Sequence, residues 1–450
     1  MPRQYWPSPK MRDFAPLAEP GVYAEILQIA ESQGSVSVAE LTSEDGGLRQ
    51  RVKYRQFIET PTRTTIQGAL SLFHRFGWFH KAGPGKFELT QDGREAGALA
   101  NRDEKAFRRE LAGQLHAVYV VPGWLVARLY ALNPQRQGEL VLPSPAKDWH
   151  PGKRDWEDST WTADLENEAL RSSTRANEFF PGSFPIEERQ WVSEVKSSWN
   201  DLGNVKRKKV SIVSKNEENK DEKPRVSSFS VRARLAHAMR AAAINVLFAS
   251  TVPGNEDPDF PTEKHPLPPR SFSAWCPRLD DLELIFYTDS HPAIWGRLLF
   301  PCGAFRGGGP ESSFEELPEI RDLEGRSLWL HQPAWSALGA KFVDILHKAY
   351  NRVSRRIGAI YVSLLDVRDE VCRQLRLSST KFDEFLERSY RESIHQPAKS
   401  TMPDGKGRIP SISLESDIRP EQQKSIMRRP VYIDDVPHSL IAMAQGSSGV

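Results

Sequence analysis

The stretch PTRTTIQGALSLFHRFGWFHKAGPGKFELT, Pro61 to Thr90, passes from a helix to a hairpin at Phe76-Gly77. Thr60 before it suits an N-cap and Pro61 the first helical position, where proline's missing N–H would have had no partner anyway. Ile66, Leu70 and Phe73 fall on one face, while Arg63, Gln67, His74 and Arg75 are distributed over the others. Beyond Gly77, two short strands flank the turn tripeptide Gly83-Pro84-Gly85, and Lys86 opens the second strand. Upstream, GVYAEILQIAESQG repeats Val22, Ile26, Ile29 and Ala30 at helical spacing and stops at Gly34. SVSVAEL then gives a short extended piece and one helical turn, and Arg49 to Phe57 is polar and basic. Downstream, LTQDGREAGAL reads as a closing strand-to-helix segment.

The same order of parts returns near the carboxy end. Phe342, Ile345, Leu346, Tyr350 and Val353 stripe a first helix, IGAIYVS is a short strand, and LLDVRDEVCRQLRL is a second helix packing Val367, Val371 and Leu375. Ser378 suits the N-cap of a third helix, TKFDEFLERSYRES, with Phe382, Phe385, Leu386 and Tyr390 buried and Lys381, Arg388 and Arg391 exposed. ISLE, VYI, a turn at Asp434-Asp435 and HSLIAM then make a larger β-hairpin region.

On these patterns both ends resemble winged helix-turn-helix domains, the first being similar to bacterial winged-helix regulators. The resemblance implies that the Arg63 and Lys381 helices are recognition helices and the hairpins are wings. Two such units around a middle without catalytic motifs resemble the DpdG-type accessory proteins of bacterial DNA-modification and defence islands. That implies a part of a larger machine that engages DNA and has no active site. The fold expected is α+β, mainly α, with a winged helix at each end of a mixed helix and strand middle. Its divisions are 18–100, a mixed helical region 101–202, a charged linker 203–228, a helix plus β-containing domain 229–332, and 333–446.

Winged helices also serve as protein-docking modules, and charge does not choose between the two roles. Residues 1–100 hold 12 Lys and Arg against 11 Asp and Glu, and residues 333–450 hold 18 against 14. Neither end is the basic body of a protein that wraps DNA, so contacts are expected to be local. The composition, 39% hydrophobic and 27% charged over 450 residues, is that of a soluble protein of about three domains. The longest apolar run, HAVYVVPGWLVARLYAL, is broken by Pro122, Gly123 and Arg128 and is too short for a bilayer. The start has no continuous apolar segment, so no secretory signal is expected. Cys276, Cys302 and Cys372 are odd in number and widely spaced, which argues for a reducing cytoplasm and against a disulfide framework or zinc site.

In the middle, residues 104–142 suggest two helices and the strand GELVLPSP. Trp149, Trp156 and Trp161 lie among charges in a loop-like stretch that must pack against a neighbour. GNVKRKKVSIVSKNEENKDEKPR, 203–225, reads as a solvated linker whose Lys206–Lys209 cluster is able to touch phosphates. SVRARLAHAMRAAAINVLFAS follows as a long helix, with Arg232, Arg234, His237 and Arg240 on its polar side. LELIFYTDS and GRLLFPCGAFR are strand candidates, and Gly307-Gly308-Gly309 lacks the Lys-Ser/Thr pair of a phosphate loop.

Catalytic candidates are weak. Glu194-Val195-Lys196 matches half of a metal-dependent nuclease core, but Trp191, Val195, Trp199 and Leu202 place it on an amphipathic helix instead of a strand. Asp280, Asp281, Glu283 and Asp289 read as a solvated face, and His291 as a turn residue. The expectation is therefore a noncatalytic protein without metal or cofactor, binding double-stranded DNA through Arg63, Gln67, His74, Arg75 and Lys86 at one end and Lys381, Arg388 and Arg391 at the other. Arg63 and Gln67 are the candidates for base edges. Protein partners in a larger complex are expected, and no membrane. Docking of partners without DNA is the alternative.

Overall fold

The computed structural model describes residues 20–43, 48, 63–119, 121–150, 160–204, 228–248, 269–288, 291–306, 314–316, 320–321, 327–395, 411–416, 431–433 and 436–444. They are mainly helical, with small antiparallel sheets. Thr60, Pro61, Trp156, Lys206–Lys209, Asp289, Gly307–Gly309 and the Asp434-Asp435 turn lie outside them.

The first unit runs α1 (Pro20–Gln33), β1 (Ser35–Ser37), α2 (Val38–Thr42), α3 (Arg63–Phe76), β2 (Phe79–Gly83), β3 (Lys86–Leu89) and α4 (Gln91–Arg102). Its sheet has the order β1-β3-β2, so the last strand lies between the first two. Ser37 starts α2 by accepting the Glu40 N–H at 3.2 Å. Phe73 is the hub of the core, stacking on Phe79 at 5.6 Å and meeting Tyr23 at 5.0 Å and Trp78 at 5.3 Å. Thr90 caps α4 by accepting from Gly93 N. Gly93 must be glycine, since a Cβ there would lie 2.2 Å from the Trp78 carbonyl oxygen.

The body begins with α5 (Glu104–Val118), α6 (Val121–Leu132), β4 (Leu140–Leu142), α7 (Ala163–Phe179) and α8 (Glu188–Asn204). It continues with α9 (Ser228–Leu247), α10 (Pro269–Asp281), β5 (Ile285–Thr288), β6 (Arg297–Pro301), β7 (Ala304–Arg306), β8 (Phe314–Glu316), β9 (Ile320–Arg321) and β10 (Ser327–Pro333). β4 pairs with β6, which pairs with β5, so stretches on either side of the charged linker share one sheet. β5 and β6 are buried at every position, as continuous apolar strands should be. α8 buries Trp191, Val195 and Trp199 against its neighbours, and Arg234 of α9 lies 4.1 Å above the Trp199 ring. Leu202, expected on the same buried stripe, is exposed, because it lies in the last turn of α8 beyond that packing. Trp149 and Trp161 pack, partly buried, against the core, in line with the packing expected of all three loop tryptophans.

The last unit runs α11 (Trp335–Ile357), β11 (Val362–Ser363), α12 (Leu364–Leu375), α13 (Ser379–His395), β12 (Ser411–Glu415), β13 (Val431–Ile433), β14 (Val436–His438) and β15 (Leu440–Ala444). Its sheet order, β11-β15-β12, repeats the pattern of the first unit, with the β13–β14 hairpin inserted between the second and third strands. Ser378 accepts the Lys381 N–H at 3.0 Å and so starts α13 where the sequence places it.

A buried carboxylate joins this unit to the body. Glu139 is 2% exposed. It accepts from Arg373 Nε at 3.0 Å, pairs with Arg376 Nη2 at 3.4 Å and accepts from Ser183 Oγ at 2.6 Å. The guanidiniums lie over Phe180 and Phe300, at 4.9 and 4.8 Å. Among the described residues no helix is long and apolar enough to cross a membrane. Glu139→Ala should lower unfolding stability by about 3–5 kcal/mol, because it strands two partly buried guanidiniums. Urea denaturation followed by tryptophan fluorescence checks this, and an unchanged midpoint would mean that the clasp contributes nothing.

Candidate nucleic-acid interface

The face of α3 opposite the Phe73 core carries Arg63, Gln67, Ser71 and His74 at intervals of four, four and three residues, which is one continuous helical stripe. Arg63, Gln67 and His74 are exposed, and Ser71 is half-buried. Packing decides the direction: Ile66, Leu70 and Phe73 are buried on the other side, so the polar stripe can only point outwards. Arg63 has no ion pair among the described residues.

The stripe ends at the hairpin. His74 Nδ1 lies 2.9 Å from the Phe79 carbonyl oxygen. A carbonyl only accepts, so the proton sits on Nδ1, and Nε2 is the nitrogen left for another group. The His74 ring also meets Phe87 of β3 edge-on at 6.5 Å. The helix end and the hairpin are thereby held together. β2 and β3 present Lys81 and Lys86, both exposed, and their register closes with Gly83 opposite Lys86. Gly85 has φ +74, which the turn requires. Across the hairpin, His80 Nε2 sits 3.1 Å from Glu88 Oε2. The acidic group of the hairpin is thus engaged, and Lys81 and Lys86 have no ion pair among the described residues.

Two lysines, an arginine, an amide and an imidazole therefore occupy one helix stripe and the adjoining hairpin. Such a set can neutralise phosphates through its cations and offer an amide to base edges. Lys81 was absent from the residues picked by sequence, and alternation would not have found it: two residues after the buried Phe79 and opposite the buried Phe87, it falls on the core-side face of β2 and is nonetheless exposed.

Arg75 lies off this surface. It is half-buried, and its Nη1 lies 3.3 Å from the hydroxyl of the buried Tyr119, at the end of α5.

In the last unit the expected basic surface changes character. Lys381, expected to be exposed, is 1% exposed: its Nζ donates to Glu384 at 3.1 Å and lies 5.4 Å from the Phe385 ring. Arg388 and Arg391 are exposed but pair with Glu384 at 3.3 Å and Glu387 at 2.6 Å. The first turn of α13 is docked on the body, where Ser379 Oγ donates to Asp280 at 3.2 Å and Arg108 donates to Thr380 Oγ1 at 3.1 Å. Burial of α13's first turn is what takes Lys381 out of solvent.

The remaining chemical candidates do not assemble. Glu194 and Lys196 are two residues apart on α8 and leave it on different sides. Asp280, read as part of a solvated face, is buried because it receives Ser379 from α13. His291 is a buried turn residue whose Nδ1 accepts from Ala293 N at 3.2 Å. The three cysteines form no disulfide and are buried, and burial pushes the Cys302 and Cys372 thiols well up from the usual thiol range. Among the described residues no group of His, Cys, Asp and Glu is placed to hold a metal ion.

No protein-family model, curated protein or solved structure matches this chain.

The geometry separates Arg75 from its neighbours by a stability measurement. Arg75→Ala should cost about 1 kcal/mol through the lost Tyr119 contact, whereas Arg63→Ala and Gln67→Ala should stay within about 0.5 kcal/mol. Denaturation midpoints of the three variants give the comparison.

Proposed function

We propose that this chain is a noncatalytic protein that binds double-stranded DNA through its first unit, read as a winged helix in which α3 is the recognition helix and β2–β3 the wing. The observation that carries the proposal is the exposed Arg63, Gln67 and His74 stripe running into a hairpin with Lys81 and Lys86. Arg63, Lys81 and Lys86 contact phosphates, with Arg63 also within reach of base edges, and Gln67 offers its amide to an adenine edge. His74 holds helix and wing in register. The shared strand order supports reading the last unit as a second winged helix. The accessory place in a larger DNA-engaging system rests on the resemblance of two such units around a middle without catalytic motifs.

A second reading, partner docking without DNA, is favoured at one place. The first turn of α13 is buried against α10 and α5, so this helix is poorly placed to enter a groove, and the last unit serves protein contacts or architecture.

Fluorescence anisotropy of the full chain with a random duplex, titrated with salt, tests the proposal. Three phosphate contacts predict a log–log slope of about −3, and replacing Arg63 and Lys86 with Ala should flatten it by about two units. Gln67→Ala should leave the slope unchanged and relax preference at one base pair. Replacing Arg388 and Arg391 should have little effect. Absence of binding at low salt, or a slope insensitive to Arg63 and Lys86, would overturn the proposal in favour of docking.

A further inference from the structure

Where α9 packs on β4, Leu142, Ser144, Ala236, Arg240, Gly296 and Arg297 line a cavity of about 30 Å³. Three stretches of chain meet there. Leu142 and Arg297 face each other across the β4–β6 ladder, so their side chains leave the sheet on one side. Ala236 and Arg240 are one turn apart on α9 and share one stripe of that helix. An arginine of the sheet and an arginine of the helix thus line one cavity. Arg297 is 9% exposed, and its guanidinium lies 5.8 Å from the centroid of the Tyr287 ring. Arg240 and Ser144 are half-buried.

Backbone fixes one wall. A Cβ on Gly296 would lie 2.1 Å from the Leu142 carbonyl oxygen, so the chain before β6 is pressed against the end of β4 and brings no side chain to fill the space. The room left suits about two water positions or one small tetrahedral ion. No carboxylate is among the described residues that line it. At Glu139, by contrast, Arg373 and Arg376 are brought together by a carboxylate. Two like charges at one partly buried cavity repel, and the lowered dielectric makes that repulsion larger than in water. Water alone leaves it uncompensated, and a bound anion offsets it.

We propose that this cavity binds a phosphate-sized oxyanion, either a free ion or the end of an ester, between Arg240 and Arg297 with the Ser144 hydroxyl as a third donor. The planar guanidinium fork matches the spacing of two oxygens on such an ion, and charge-assisted hydrogen bonds of this kind are the strong ones. The volume admits one such group and leaves no space for a nucleotide base. A bound ion would also join β4 to α9 and β6, which lie on either side of the charged linker. The inference is independent of the DNA-binding reading, which rests on the first unit.

Isothermal titration of the full chain with inorganic phosphate at fixed ionic strength tests it, with potassium chloride titrated in parallel. Saturable binding at one site is expected, weakened about tenfold or more by Arg240→Gln and by Arg297→Lys and about fivefold by Ser144→Ala. Arg171→Gln, a control at an exposed arginine of α7, should leave it unchanged. Because Arg297 is buried, circular dichroism first checks that its variant folds, and the half-buried Arg240 and Ser144 carry the test if it does not. Methyl phosphate separates the two sources: affinity equal to that of phosphate points to an ester end, and loss of binding to the free ion. Three results would overturn the proposal: no saturable binding, binding insensitive to Arg240→Gln, or chloride bound as tightly as phosphate.

Discussion

The position of the carboxy-terminal unit depends on the buried carboxylate of Glu139. Removing a carboxylate from water costs several kcal/mol after relaxation, and the cost is offset only when charge and hydrogen bonds are supplied together. Here Arg373, Arg376 and the Ser183 hydroxyl supply both, and the faces of Phe180 and Phe300 cover the guanidiniums. Arg376 also donates to the Arg136 carbonyl at 2.7 Å, and its own carbonyl accepts from Gly303 N at 2.7 Å. Burial lowers the Arg376 pKa from its ordinary value, and Glu139 acts in the opposite sense. The end of α12 is thereby fixed to the body on both its side-chain and backbone groups. Because α13 begins three residues after Arg376, its first turn is delivered against α10, where Ser379 meets Asp280.

That constraint explains how two units with one strand order come to present different surfaces. In the first unit the third helix packs on α1 and the Phe73 cluster, and the start of the helix, with Arg63, is left outward. In the last unit the corresponding start is pressed into the body, and Lys381 is spanned by Glu384 and Phe385. Topology fixes which strands pair. Which face of the third helix meets solvent is decided by what the unit docks onto.

Much of the local structure was legible because it is written in local spacing. Val22, Ile26 and Ile29 mark α1, Gly34 and Gly85 mark positions with positive φ, and Ser378 marks the start of α13. The pairing of Arg388 with Glu384 and of Arg391 with Glu387 was also present as four-residue spacing, although those arginines read simply as exposed. The pairing of β4 with β6 was not legible, since an apolar strand does not name its partner across the charged linker. Nor was the inward turn of Arg75, because its partner, Tyr119, comes from α5. Periodicity separates a buried face from the rest of a helix. It does not say whether the rest faces water or another helix.

Formal charge is a poor guide to the field a surface presents, and the two ends show why. The last unit carries the larger excess of Lys and Arg, yet on α13 Lys381, Arg388 and Arg391 all meet carboxylates of the same helix. An exposed pair of this kind adds little stability, but it cancels most of the potential at the distance of an approaching phosphate. The first unit is nearly neutral over residues 1–100. Even so, Arg63, Lys81 and Lys86 have no ion pair among the described residues, and Glu88 is engaged by His80. What an anion meets is set by which cations lack a nearby carboxylate. By that measure the nearly neutral unit leaves Arg63, Lys81 and Lys86 without an ion pair among the described residues, while on α13 the basic excess of the last unit is answered by Glu384 and Glu387.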